Sequence, residues 1–320
     1  MKKFVAALLT IVLVAACSPA AFAGWVPTRN IELVIPFAAG GGSDVFARTL
    51  VATIEANNLS PVSIIPINMP GASGVIGWNA IATAGNNPYK IATTSSSFFT
   101  QPLTGNAPFT WDDFAFVSHL VQDPNMLVVY PGLGFETFAD MVEYARANPG
   151  RLVFGGTSVM GNDAMMCYVL EAELGVEFTF VPFASGGELL VALLGGHIHL
   201  GAMGPSVAGD HLELGNVIPL AVSADSRLPH LPDLPTLVDL GVNKTHQQSR
   251  GIVANVAVDQ EVLRWYSELF RRASETPEWI AFADAEGMTI NFMDYREYRI
   301  FHELYSENYV NFVELVAGRE

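Results

Sequence analysis

Residues 34–50, VIPFAAGGGSDVFARTL, run from an apolar stretch through three consecutive glycines into a serine, an aspartate and an amphipathic pattern. Gly40, Gly41 and Gly42 let the backbone turn tightly and approach a bound group with no Cβ in the way. Ser43 or Asp44 then caps a helix whose Phe46, Leu50 and Ile54 face inward. The unpaired N–H groups of such a first turn, aided by the helix dipole, make an anion site that requires no basic side chain. A small acid is the ligand that fits this chemistry, and a tight strand–helix turn with nothing bound is the plainer alternative.

The same grammar returns in LVFGGTSVMGNDAMMCYVLEAEL, where a strand passes through Gly155, Gly156, Thr157, Ser158 and Gly161 to a cap at Asn162 or Asp163. Two such turns in two halves of the chain suggest two jaws, each offering one helix N-terminus to a ligand with separated carboxylates. The run TTSSSFF at residues 93–99 adds hydroxyls at a strand end, as carboxylate donors or as local turn caps. Arg250 is the lone basic residue in a predicted buried strand. Its guanidinium either grips a distal carboxylate as a fork or forms a structural ion pair with one of the many acids.

Other chemistries fit less well. A dinucleotide fingerprint starting at Gly40 needs glycine where Val45 stands, and no Gly-Lys-Ser/Thr phosphate loop occurs. A nucleophile elbow around Ser158 needs glycine where Met160 stands. His197 and His199 share a strand face near His211, but a zinc site needs all three to converge around an open position, so neither metal nor cofactor is expected.

The chain that must position these residues has 320 residues, half of them hydrophobic and only 15% charged, enough for a large core and two domains. A net charge of −16 with 16 Lys and Arg speaks against nucleic acid, whose phosphates need cations to displace their counterions. It also repels an anionic ligand at long range. Screening beyond about 8 Å leaves the local helix termini in control.

The opening residues combine Lys2 and Lys3, an apolar run and Ala21-Phe22-Ala23 before Gly24, which reads as a secretory signal over residues 1–23. The sequence VAAC ending at Cys17 also reads as a lipoprotein cleavage box, through which Cys17 would carry a lipid anchor. Either way Cys167 is left without a disulfide partner, and it reads as a small buried hydrophobe. No later stretch reaches the roughly 18 apolar residues of a spanning helix.

Apolar, β-branched segments fall at 31–36, 62–67, 90–95, 126–130, 152–155, 178–183, 197–203, 217–224 and 250–255. Between them, Phe138, Met141, Val142 and Ala145 mark one helix face, and Met165, Tyr168, Val169 and Ala172 another. From Asp259 onward the pattern turns helical and aromatic, as a closing layer packed back on an earlier domain. Alternating strands and helices predict an α/β fold with mostly parallel sheets.

The segments VIPFAAGGGSDVFAR, NMPGASGVIGW, PYKIATTSSSFFTQPLTG, VPFASGGELLVALLGGHIHLG and LAVSADSRLPHLPDLPTLVDLG occur in an order and spacing that resemble the tripartite tricarboxylate transporter receptor family, or Bug proteins, and within it the citrate-type subgroup. Met69 departs from the basic residue the family often carries in this Asn-x-Pro-Gly turn. The resemblance implies a two-lobed, type II-like periplasmic binding protein, with residues 24–125 plus 226–320 as one lobe and 126–225 as the other. It implies a monomeric receptor without catalysis, closing like a flytrap on a di- or tricarboxylate and delivering it to membrane permease subunits. A sensor that signals from the same pocket is the alternative. The ligand would meet Phe37, Ala39, Gly40, Gly41, Gly42, Ser43 and Asp44 in one loop, and Gly156, Thr157, Ser158, Gly161, Asn162 and Asp163 in the other. Ser95, Ser96, Ser97, Gly204 and Pro205 would line the specificity end, and Arg250 joins the candidate binding residues on its own chemistry.

Overall fold

The computed structural model describes residues 24–105, 107–224, 226–242 and 247–317; the signal segment and Cys17 lie outside them. In chain order, β1 (Ile31–Ile35) leads to α1 (Gly42–Ala56), β2 (Ile64–Asn68), α2 (Val75–Ala82) and β3 (Lys90–Thr93). A long β4 (Phe114–Asp123) runs almost directly into β5 (Met126–Val129). Then come α3 (Phe138–Ala147), β6 (Leu152–Gly156), α4 (Asn162–Leu174), β7 (Phe178–Pro182), α5 (Gly186–Leu194), β8 (Leu200–Met203) and β9 (Ile218–Val222). The chain returns through β10 (Gln248–Asn255) to α6 (Gln260–Ser274), α7 (Pro277–Glu286), β11 (Thr289–Met293) and α8 (Tyr295–Ala317). None of the described helices is long and apolar enough to cross a membrane.

The strands form two sheets, ordered β11-β4-β10-β3-β1-β2 and β7-β6-β8-β5-β9. Pairing is parallel where a helix connects the strands, in β1–β2, β1–β3, β6–β7 and β6–β8. It is antiparallel along β10–β3, β10–β4, β11–β4, β5–β8 and β5–β9, so both sheets are mixed rather than mostly parallel. The cause is the two passages of chain between the sheets: β4 and β10 traverse the first sheet as neighbours running in opposite directions. β4 and β11 have no counterpart among the nine predicted segments. Ser118 and His119 interrupt the apolar run of β4, and β11 is a short half-buried edge inside a helical region.

Alternation along β1 sends Ile31, Leu33 and Ile35 to one face, packed with Phe46, Leu50 and Ile54 of α1 and with α6 and α7. Val34 faces the other way, into a cluster that includes Trp78, Phe98, Phe116, Tyr298 and Tyr309. That cluster continues into Leu127, Phe154, Leu200 and Met165 of the second sheet unit, so one apolar core spans both. Helix α8 is its bridge: Phe99 stacks on Tyr309 at 5.1 Å, and Tyr168 of α4 lies 6.1 Å from Phe312. Gly74, at φ +97°, is demanded by this core, because a Cβ there would sit 2.4 Å from the Trp78 ring.

All four residues of the predicted α3 face are buried. On α4 the expected face is too narrow: Ala172 is exposed, whereas Ala164, Cys167 and Leu170 are fully buried in the core cluster that also takes in Phe154 and Leu200. Cys167 is therefore expected to resist thiol reagents in the folded protein and to label only on unfolding, a test readable with one chromogenic disulfide and a urea titration.

Candidate functional site

At the first glycine turn the helix cap is not a side chain. Gly41, extended at φ −87° and ψ 168°, occupies the N-cap, and α1 begins at Gly42. Ser43 and Asp44 lie inside the first turn, contrary to the expected cap. Glycine serves nearly as well there, and the aspartate is freed for other work.

Asp44 reaches backward out of the helix. One carboxylate oxygen accepts the Gly40 N–H at 3.0 Å, and the other accepts from Arg48 Nε and Asn68 Nδ2, both at 2.9 Å. Asn68, at the end of β2, also donates to the Phe37 carbonyl at 3.0 Å. The network pins the loop to the sheet from outside the helix. Burial works against ionisation of Asp44, but the bonds from Arg48, Gly40 and Asn68 outweigh it and hold the carboxyl below its ordinary range. Because no side chain caps α1, the first-turn N–H groups of Gly42 and Ser43 have no acceptor among the described residues.

The second turn repeats the device. Gly161 is the N-cap of α4, and Asp163, rather than capping, reaches back to accept from the Thr157 N–H, and from its hydroxyl at 2.7 Å. Its other oxygen accepts the Ala164 N–H at 3.1 Å. Burial pushes the Asp163 carboxyl upward against these donors. The two turns meet through the hydroxyl run after β3. Thr100 donates to the Met160 carbonyl at 2.6 Å, and the Ser97 and Ser158 hydroxyls lie 3.4 Å apart.

Between the two helix termini lies a cavity of about 100 Å³. One water needs roughly 10–15 Å³ of such space, so the cavity holds several waters or a compact organic acid. Of the expected residues, Phe37, Gly41, Gly42, Ser43, Ser95 and Ser97 line it from the first sheet's side. Thr157, Gly161, Asn162, Asp163 and Gly204 line it from the second, and Arg250 lies at its wall. Ala39, Gly40, Asp44, Ser96, Gly156, Ser158 and Pro205 are outside the lining; Gly40, Asp44 and Ser158 act behind it as braces.

Arg250 lies 5% exposed, and its Nε donates to Asp123 at 2.6 Å with Nη2 on the same carboxylate oxygen. Its Nη1 donates to the Ser43 hydroxyl at 3.2 Å. Gln248, with its amide oxygen turned toward the guanidinium, accepts from Nη2 at 2.6 Å and Nη1 at 3.0 Å. The geometry is that of the structural ion pair, the second of the two sequence-level alternatives. Burial drives the Asp123 carboxyl upward, opposed by the charge and hydrogen bond of Arg250. Gly42 makes this packing feasible, since a Cβ there would stand 2.9 Å from Arg250 Nη2.

Sequence reasoning missed Asp123, Asn125, Ser185, Glu286 and Met288, which also line the cavity. Ser185 had a readable signal, a serine before Gly-Gly-Glu, and it caps α5 by accepting the Glu188 N–H at 3.2 Å. The others arrive by tertiary placement alone. The histidines stand apart from the cavity: His199 Nδ1 accepts the Val153 N–H, and His211 contacts Asn216.

The family described as the tripartite tricarboxylate transporter family receptor, TctC, matches residues 47–310. A UPF0065 protein in the gbd 5′ region of Cupriavidus necator is 28% identical over 278 residues, 85% of this chain and 84% of that protein. Rhodopseudomonas palustris Rpa4515, solved with adipate, superposes with a TM-score of 0.83 at 24% identity, over 91% of this chain and 98% of its own. MatC from the same organism, solved with malate, gives 0.78 at 21% identity, over 91% and 99%. With a family match across most of its length and a two-lobed α/β fold shared with periplasmic binding proteins, the chain belongs to the tripartite tricarboxylate transporter receptor family of solute-binding proteins.

Proposed function

We propose that this protein captures one small organic acid in the cavity between α1 and α4 and presents it to the membrane subunits of a tripartite tricarboxylate transporter. The observation that carries the proposal is the uncapped first turn of α1. Gly42 and Ser43, whose N–H groups have no acceptor among the described residues, line a cavity that the first turn of α4 also lines, with Asp44 and Asp163 spent on bracing the loops instead of occupying those donors. A carboxylate there meets oriented N–H dipoles and the positive end of a 15-residue helix.

Capture works by closure of two jaws, residues 24–125 with 226–320 against 126–225. A ligand drives closure only to the extent that it contacts the closed form better than the open one. The cross-jaw bonds Thr100–Met160 and Ser97–Ser158 are contacts of the closed kind. The bound adipate and malate of the two structural neighbours support an acid of this size. The secretory pattern read at residues 1–23 supports a periplasmic location, and the reading takes the receptor as a monomer.

A thermal-shift screen of the refolded, ligand-stripped protein against small acids and their ester analogues tests this. An acid near 1,000 times its Kd raises stability by roughly 4 kcal/mol, a shift of several degrees, while its full ester does not. Failure of every acid to shift the melting point removes the proposal. Asp44→Ala is expected to weaken binding of the responding acid about tenfold and to cost about 1–3 kcal/mol, since the loop loses charged hydrogen bonds at Gly40 and Asn68. Unchanged affinity by titration calorimetry would show that the brace does not shape the turn.

A further inference from the structure

Asp123, Asp163 and Glu286 line the cavity with one cation, Arg250, whose pair with Asp123 lies against the first turn of α1. That cation has no donor to spare. Its five N–H groups find acceptors in Asp123, Ser43 and Gln248, two each for Asp123 and Gln248 and one for Ser43. A second carboxylate on the ligand would enter a region that already holds Asp163 and Glu286 and whose guanidinium is engaged.

What the wall does offer is neutral and unsatisfied. Asn162, the first residue of α4, is 3% exposed, and neither its Oδ1 nor its Nδ2 has a hydrogen-bond partner among the described residues. Ser95, at 4%, carries a hydroxyl that is likewise unpartnered. Both line the cavity, one from each sheet unit. Buried polar atoms are almost always bonded, and for unbonded ones on residues that line a cavity an occupant supplies the missing partner. A side-chain amide presents an acceptor and a two-hydrogen donor on adjacent atoms. Its complement is a group offering the same pair reversed, and a carboxamide does so. A carboxylate satisfies only Nδ2 and sets a charged oxygen against Oδ1.

We infer that the ligand is a half-amide of a dicarboxylic acid, its carboxylate at the first turn of α1 and its carboxamide read by Asn162 and Ser95. This rests on the acid-capture function above and narrows its substrate class. The acidic wall also accommodates an ammonium substituent, so asparagine and glutamine fall within the class.

Matched pairs test it: succinamate with succinate, glutaramate with glutarate, asparagine with aspartate and glutamine with glutamate, each titrated calorimetrically into the refolded, ligand-stripped protein. The expected result is that the amide member of at least one pair binds about tenfold or more tighter than its diacid, because each mismatched diacid leaves Asn162 Oδ1 without a donor. Asn162→Ala should bring that ratio toward one, and Ser95→Ala reads the same ratio from the opposite wall if the first variant fails to fold. Diacids binding as tightly as their half-amides overturn the inference and leave acid capture standing, as does an amide preference that survives both substitutions. If none of these compounds binds while another acid in the broader screen does, the half-amide assignment falls alone. If no acid binds, both fall.

Discussion

Arg250→Met is expected to destabilise the protein by about 3–5 kcal/mol, because it leaves the Asp123 carboxylate buried without its counter-charge. Asp123 lies 3% exposed at the end of β4, and Arg250 is its ion-pair partner. The cost arises from the orphaned charge rather than from any large net value of the pair. The double variant Arg250→Met with Asp123→Leu should therefore recover most of the loss, since two apolar side chains of similar reach replace both charges and demand no hydrogen bonds. Urea denaturation of the two single variants and the double variant closes the cycle. A double variant as unstable as Arg250→Met alone would mean that Arg250 acts mainly through Ser43 and Gln248, which it also contacts.

The pair also shows which parts of the site a sequence can disclose. The two glycine turns are legible because their cues are local: three glycines after a strand, small residues before a helix, and apolar positions three and four apart. The role of Asp44 is half legible. An aspartate at a helix start is expected to cap, and only the fold shows the carboxylate turned backward to Gly40 with Asn68 behind it. The Asp123–Arg250 contact joins residues 127 apart in the chain, and no periodicity encodes it. β4 hides for a similar reason. Its Ser118 and His119 are polar yet fully buried, because they sit at the centre of a strand flanked by β10 and β11 and covered by α6 and α8. The sheets are mixed rather than mostly parallel on the same account, since alternating strands and helices give the composition of the layers but not the direction in which β10 returns.

The buried histidines make stability depend on pH in a direction that can be worked out. His119 on β4 lies with Nδ1 2.6 Å from the Asn291 carbonyl, so that nitrogen carries the hydrogen; Nε2 is buried with no partner among the described residues. Burial lowers its pKa from 6.5 to about 4, against the opposing bond to Asn291. His302 on α8 stacks on Phe116 at 4.7 Å and on Phe99 at 5.4 Å, with Trp111 edge-on. Burial, helped by the nearby charge of Arg299 and opposed by Glu303 and Asp112, lowers it also to about 4. Both folded-state values lie below that of a free histidine near 6.5, so as pH falls the unfolded chain takes up protons first. The stability tied to the neutral rings is thus fully present above about pH 6.5 and is lost as pH falls toward 4. At pH 5 the loss is of order 2 kcal/mol per ring. Asp163 and Asp123, whose carboxyls are raised by burial, change stability in the opposite sense over part of this range, so the wild-type slope alone does not isolate the histidines. His302→Phe does. It keeps an aromatic ring among Phe99, Phe116 and Trp111 and removes the titrating nitrogen, so the difference in unfolding free energy between pH 7 and pH 5 should shrink by about 2 kcal/mol. A variant that keeps the wild-type difference would place His302 with a native pKa near 6.5, hydrated within the core that α8 shares with β4. Acid would then loosen the bridge between the sheets only through His119.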